Sequence, residues 1–389
     1  MSRSIVIVDI LSHANMHLPF NEGYIKSMRK AFPEDEIIFA GSKNHVGNLK
    51  QFIEPEYEIS FKCIKDFQEQ LGTKSYHNPF YAIPASRRSW NEIMEIVDNK
   101  DVRNISFLGA NGPLISTFSK KGKALRSSSI HYIQHNQLST SMRWRSKNPF
   151  FKYFDYLSVV GRGLPKNQRL ILLELGLEQV LVDHAPKIEP CLETIEHPVQ
   201  EREYMPPKPV DSEKPINIAF LGNCGVGKGF DTFLRVAKKF SGDKYNFYAI
   251  GKNNISLTGD LSFDGLKTLP ADGHLPREDF VALLAKIDMV FLPLPKTTSY
   301  VSSGSIIDAF ASSKPLIISS NQSVREIERK YGEYGITYST LSELESILIE
   351  FNAEKLESKS KTWQENINKI RQARSESGIA KQLRDSILV

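Results

Sequence analysis

Residues 299–320 read SYVSSGSIIDAFASSKPLIISS and hold a loop, a helix and a buried strand in quick succession. The apolar run Met289-Val290-Phe291-Leu292 leads into them and stops at Pro293 and Pro295. Ser302, Ser303, Gly304 and Ser305 then open a helix carrying Ile306, Ile307, Ala309 and Phe310. Ser312-Ser313-Lys314 ends that helix before Pro315, and Leu316 to Ile318 begin the next strand. A strand, a turn of small residues and a helix start form a natural anion site. The first amides of a helix point outward without partners and carry roughly half a unit of positive charge. This stretch predicts a parallel α/β fold organised around a bound diphosphate.

The same alternation extends outward in both directions. Before it, strands are expected at 5–8, 37–40, 105–109, 130–133, 158–160 and 180–182, with helices near 23–32 and 89–99. The region holding Pro55, Pro79 and Pro84 reads as less regular. From 199 to 215, Pro206, Pro207, Pro209 and Pro215 sit among charges with no apolar periodicity, which is the composition of a linker. Strands then follow at 216–221, 245–250, 289–292 and 316–318, with helices at 230–240 and 277–287 and a charged helical end from about Leu341. The expectation is a Rossmann-like domain over 1–200, a linker over 201–215, and a second Rossmann-like domain over 216–389 whose last helices cross back to the first. Two doubly wound domains would place a ligand cleft between the carboxyl ends of their sheets.

The 389 residues suffice for two cores, and 40% hydrophobic with 24% charged content is ordinary for a soluble protein. No apolar run approaches the about 20 residues that cross a bilayer, and MSRSIVIVDI reads as a buried strand rather than a signal segment. Cys63, Cys191 and Cys224 fit neither a metal motif nor a disulfide framework, so a reducing cytoplasm is expected. The net charge of +5 is unevenly spread: twelve Lys or Arg and one acid, Asp155, fall between Arg103 and Arg169. Such a run is either a solvated basic face or a surface toward acidic lipid or a polyanionic acceptor. No nucleic-acid reading motif accompanies it. Within it, Ser141–Phe154 (SMRWRSKNPFFKYF) interleaves cations with aromatic rings, which suits a headgroup layer on the inner face of a membrane as well as a core helix with a basic outer side.

The second domain opens INIAFLGNCGVGKGFDTFLRVAKKF, where Gly222, Gly227 and Lys228 match the glycine–lysine spacing of a P-loop. Gly229 stands where that loop needs Ser or Thr for magnesium, so a nucleotide triphosphatase is not expected. The run more closely resembles the start of the nucleotide-binding domain in group 1 retaining glycosyltransferases of the GT-B fold, bacterial surface-polysaccharide enzymes among them. There a strand ends in Gly-Arg, and Lys-Gly-x-Asp begins the next helix, as Lys228-Gly229-Phe230-Asp231 does here. Residues 299–320 extend the likeness through their Ser-Gly turn, Asp308-Ala309 and Lys314-Pro315. Asn223 stands in place of the family's arginine, and Tyr300 in place of its first glutamate.

The resemblance implies two Rossmann-like domains facing a central cleft and a donor site made of Gly222, Asn223, Lys228, Tyr300, Ser303, Gly304, Ser305 and Asp308. Lys228 and the amides of 303–305 would hold the diphosphate, and Asp308 the ribose. Gly273-His274-Leu275 would form the base-binding loop. His135, after an apolar strand, would face the donor sugar, making His135 and Lys228 the catalytic pair. In the loop after the first strand, His13, Asn15, His17 and Gly23 would meet the acceptor; no third ligand makes a metal site of the two histidines. His197 reads as hinge packing. The implied activity is transfer of a hexose from a UDP- or GDP-sugar to a saccharide or lipid-linked saccharide, with retention of configuration and neither metal nor cofactor. Two other readings stay open: a sugar-nucleotide epimerase of the same fold, and a degenerate glycosyltransferase acting as a binding subunit.

Overall fold

Runs such as Ile5-Val6-Ile7-Val8 have no polar side to turn to water, so they are stable only when both faces are covered, as in a parallel sheet between helices. The computed structural model describes residues 3–387 except 126, 144–145, 202–204, 255–264, 274 and 296–302. The chain forms two compact units. One is Met1–Gln200 with Ala373–Val389; the other is Glu201–Ser299 with Ser303–Gln372.

The first unit holds β1 (Ser4–Asp9), β2 (Glu36–Gly41), β3 (Ile59–Cys63), β4 (Val102–Phe107), β5 (Ser129–Gln134), β6 (Gln168–Leu172) and β7 (Leu192–Thr194). They lie in the order β3-β2-β1-β4-β5-β6-β7, and every pairing is parallel. Val6, Val8, Phe107 and Tyr132 pack on one face with Trp90, Leu114 and Phe118 of covering helices. Ile5, Ile7, Ile133 and Ile171 pack on the other, under Tyr24, Ile25 and Met28 of helix Leu18–Ala31 and Ile379 and Leu383 of helix Glu376–Ile387. The returning end of the chain is therefore part of this unit's core. It is fixed by Arg374, fully buried, which donates to Glu174 at 2.9 Å and Glu196 at 3.1 Å.

The second unit holds β8 (Ile216–Leu221), β9 (Tyr245–Ile250), β10 (Leu266–Thr268), β11 (Met289–Leu292), β12 (Leu316–Ser319) and β13 (Gly335–Tyr338). Their order is β10-β9-β8-β11-β12-β13, again parallel throughout. Phe220, Phe230, Phe233, Phe247 and Phe291 form its aromatic centre.

Several sequence expectations change. Residues 158–160 and 180–182 are not strands but lie in helices Tyr156–Val160 and Leu177–His184. Asp155 caps the first of these by accepting from the Ser158 amide at 2.8 Å, an interaction that outweighs a three-residue apolar run. Strands β3, β6, β7, β10 and β13 are all absent from the expectation; β3 is a half-exposed edge with no apolar run to mark it, and β7 and β10 are only three residues long. Helix Leu18–Ala31 starts earlier than expected because Pro19 occupies its first turn, where its missing N–H costs nothing. Helix Pro79–Val97 likewise starts at a proline, capped by Asn78, and continues through Pro84.

Candidate functional site

The strand order of the second unit reverses between β8 and β11, so the crevice at a doubly wound sheet's switch point opens beyond their carboxyl ends. Backbone builds its walls. Gly222, directly after β8, has φ +96°, and a Cβ there would lie 2.7 Å from the Ser305 hydroxyl. That hydroxyl donates to the Leu221 carbonyl at 2.9 Å, which latches the first turn of helix Gly304–Ala311 onto the end of β8. Gly229 has φ +80°, and a Cβ there would fall 1.9 Å from the Pro293 carbonyl oxygen. The turn Val226–Lys228 is thereby pressed against the chain leaving β11. Only glycine serves at either position.

Ser303 is the N-cap of helix Gly304–Ala311, but its side chain caps no amide. It is 2% exposed, and its hydroxyl has no hydrogen-bond partner among the described residues. Gly304 is exposed, and Asp308 is half-buried one turn further on. Lys228 is half-buried at the start of helix Phe230–Phe240, while Asn223 is exposed. Outward amides, a lysine and an unused buried hydroxyl at one switch point favour a multivalent anion. Cys224 beside them is no nucleophile, because burial pushes its thiol up to about 12. Gly273 is exposed and Leu275 half-buried after β10. The sequence assignments at His274 and Tyr300 lie outside the described residues.

The first unit reverses between β1 and β4. A cavity of about 190 Å³ opens at those strand ends, lined by His13 and His17 after β1, Asn111 after β4, and the rings of Tyr76, His77 and Phe151. Here side chains do the building. Buried Asp9 accepts from the Ser12 amide at 3.0 Å and from Asn21 Nδ2 at 2.6 Å. The same Asn21 nitrogen lies 2.7 Å from His45 Nε2, so that nitrogen accepts and His45 Nδ1 donates to the Ala14 carbonyl at 2.9 Å. This network holds Ala14 and His17 at φ +47° and +54°, a conformation side chains seldom adopt.

His17 stacks on His135 with ring centroids 4.4 Å apart, and Phe20 meets His135 edge-on at 4.4 Å and His197 at 5.0 Å. Burial, reinforced by His17 and His197, holds His135 well below the usual histidine range. Burial also lowers His197 to about 4. His17 keeps a solvent-exposed edge, yet crowding of its ring lowers it as well. His135 Nε2 is closed off with no partner among the described residues. At neutral pH it is an uncharged imidazole with one unused nitrogen.

The other loop residues sit apart from this cluster. His13 is exposed at the cavity, and exposed Asn15 accepts from Asn48 at 2.7 Å. Gly23 is buried inside helix Leu18–Ala31, where a Cβ would approach Pro198 to 2.9 Å, so its role there is helix packing. The sequence reading missed Asn111, which caps helix Gly112–Lys121 through the Leu114 amide at 3.0 Å and donates to the Tyr76 carbonyl at 3.0 Å. Its signal was present: Asn-Gly-Pro is a helix start with proline in the first turn.

No protein-family model matches the chain, and no curated protein sequence matches it. Solved structures do. A glycosyltransferase from Rickettsia africae is 14% identical with TM-score 0.62 over 100% of this chain and 99% of that one. Anabaena Alr3699/HepE in complex with UDP and glucose is 13% identical with TM-score 0.65 over 99% of each chain. The lipopolysaccharide outer core galactosyltransferase WaaB is 10% identical with TM-score 0.60 over 99% of each. At these identities the likeness establishes the fold. It is the GT-B fold, two Rossmann-like parallel-sheet units of seven and six strands.

Proposed function

We propose that the protein is a glycosyltransferase that takes a hexose from a UDP- or GDP-sugar to a saccharide hydroxyl. The observation carrying this reading is the anion cradle of the second unit: the start of helix Gly304–Ala311 latched to β8, with buried Ser303 left without a partner among the described residues. In this reading the 303–305 amides and Lys228 hold the donor diphosphate and stabilise it as it departs, and Asp308 meets the ribose. The binding of UDP and glucose by the similarly folded HepE is in keeping with it. The ring-lined cavity of the first unit suits an acceptor sugar, whose apolar faces stack on aromatic side chains while its hydroxyls reach Asn111 and His13. His135, uncharged, backs this cavity by stacking on His17, which lines it. Retention of configuration and independence from metal belong to the same reading.

The acceptor is proposed to be lipid-linked. Phe80, 61% exposed, stacks on Phe150, 41% exposed, at 4.5 Å, with Lys147 and Lys152 exposed nearby in sequence. Rings and cations on one surface suit the headgroup layer. Among the described residues no helix is long and apolar enough to cross a membrane.

Incubating the purified protein with UDP- and GDP-sugars, with and without a crude lipid acceptor, tests the proposal through released nucleoside diphosphate. Turnover supports it. Binding without turnover would instead favour a non-catalytic subunit, as the exposed Asn223 in place of an arginine allows. No binding of any sugar nucleotide would sink both readings.

A further inference from the structure

A second basic pocket lies at the opposite edge of the first unit's sheet, where the strands begin. It has a volume of about 280 Å³ and is lined by Arg3 before β1, Arg103 in β4, Ser129 and His131 in β5, and Lys166 and Arg169 at β6. None of the residues lining it is acidic. Three carboxylates hold the arginines from behind at their Nε atoms: Asp101 on Arg3 at 3.2 Å, Asp35 on Arg103 at 2.6 Å and Glu193 on Arg169 at 3.0 Å. These pairs fix the guanidinium groups rather than fill the pocket. Four cations against three carboxylates leave one positive charge, and exposed Lys166 has no ion-pair partner among the described residues.

His131 supplies the independent observation. Its side chain is fully buried, and neither ring nitrogen has a hydrogen-bond partner among the described residues. A neutral imidazole always carries one N–H, and leaving such a donor unsatisfied away from water is costly. Burial, with Arg169 beside it, depresses this group to about 3, so the ring stays neutral near pH 7.

We propose that this pocket binds a phosphate-class oxyanion, with Lys166 and the guanidinium groups supplying positive charge and the His131 N–H a hydrogen bond. Substrates of doubly wound sheets bind beyond the carboxyl ends of the strands. This site is at the amino ends, so its ligand is an effector or a structural anion rather than the donor. The inference does not depend on the glycosyltransferase reading.

Titration calorimetry of the full chain with inorganic phosphate at fixed ionic strength tests it, with glycerol 3-phosphate run in parallel to separate a free ion from a phosphomonoester. Saturable binding is expected. Lys166→Glu, a surface change, and His131→Leu should each weaken it roughly tenfold or more, the loss of one charge-assisted contact or one buried donor. Lys228→Ala should leave the Lys166-dependent binding event in place, whatever phosphate the second unit's cradle also takes up. The proposal is overturned if the wild type shows no saturable binding of either ligand. It is equally overturned if all binding resists Lys166→Glu, or is removed by Lys228→Ala alone. Should His131→Leu fail to fold, the contrast between the two lysine variants still decides the matter.

Discussion

The two sheets share a strand order up to their sixth strand, yet their switch points are made of different material. Beyond β8 and β11 the walls are glycines, carbonyls and a helix start. Beyond β1 and β4 they are rings, amides and a buried carboxylate network. Backbone amides can meet oxyanion oxygens directly, so a crevice built of close main chain suits such a ligand with few side chains. A sugar has apolar faces and many weak donors and acceptors, which side chains must match one by one. One topology thus yields two kinds of wall because the loops after the first and fourth strands differ.

The largest expected effect concerns what closes each unit. Arg374 is fully buried between Glu174 and Glu196 in the first unit. Arg374→Met removes the buried cation that Glu174 and Glu196 share and should cost about 3–5 kcal/mol. Calorimetry should show a lowered transition for the first unit, with that of the second little changed. An equal fall in both would break the comparison at its root.

Next, Lys228→Ala should reduce turnover about a hundredfold or more, the scale on which loss of a transition-state cation or donor is felt. Steady-state release of nucleoside diphosphate measures it. Unchanged affinity and turnover would show that the backbone cradle suffices without this lysine.

The acid response should be dominated by the first unit. Burial holds His131 at about 3 and His197 at about 4, against about 6.5 in an unfolded chain. As pH falls below about 6.5 the unfolded state takes up protons that the native state refuses. Stability is therefore full above that pH and is lost on acidification toward the folded values, by about 1.4 kcal/mol per pH unit for each such histidine. Denaturant melts between pH 7 and 5 in phosphate-free buffer should show this slope, and His131→Leu should flatten it. A pH-independent wild type would refute the assignment.

The smallest effect contrasts two helix caps. Asn111 makes its cap and should cost about 1 kcal/mol as Asn111→Ala. Ser303 makes none, so Ser303→Ala should leave stability within about 0.5 kcal/mol while weakening nucleotide binding. Equal stability losses in the pair would mean that Ser303 serves the fold.

Legibility in the sequence followed apolar content rather than burial alone: the buried β6, which opens Gln168-Arg169, was missed. β8, β9, β11 and β12 are mostly apolar and were readable as strands, as was the helix start in the serine turn before Ile306. β3 was not, because a half-exposed edge strand has mixed letters. The helices at 156–160 and 177–184 were misread because three apolar residues fit either periodicity, and only the Asp155 cap or the left-handed Gly176 decides. Gly23 looked like a loop glycine, but what it packs against, Pro198, is remote in sequence.

The sequence by itself determined the parallel α/β architecture and the helix start at residues 303–305. Both follow from local periodicity. Tertiary structure alone decided the rest. It joined the chain's end to the first unit through Arg374. It stacked His17 on His135 from loops after different strands. It also gathered four cations at the strand starts, with a buried His131 that has no hydrogen-bond partner among the described residues. Each of these depends on contacts between distant segments, whose geometry no local pattern of letters encodes.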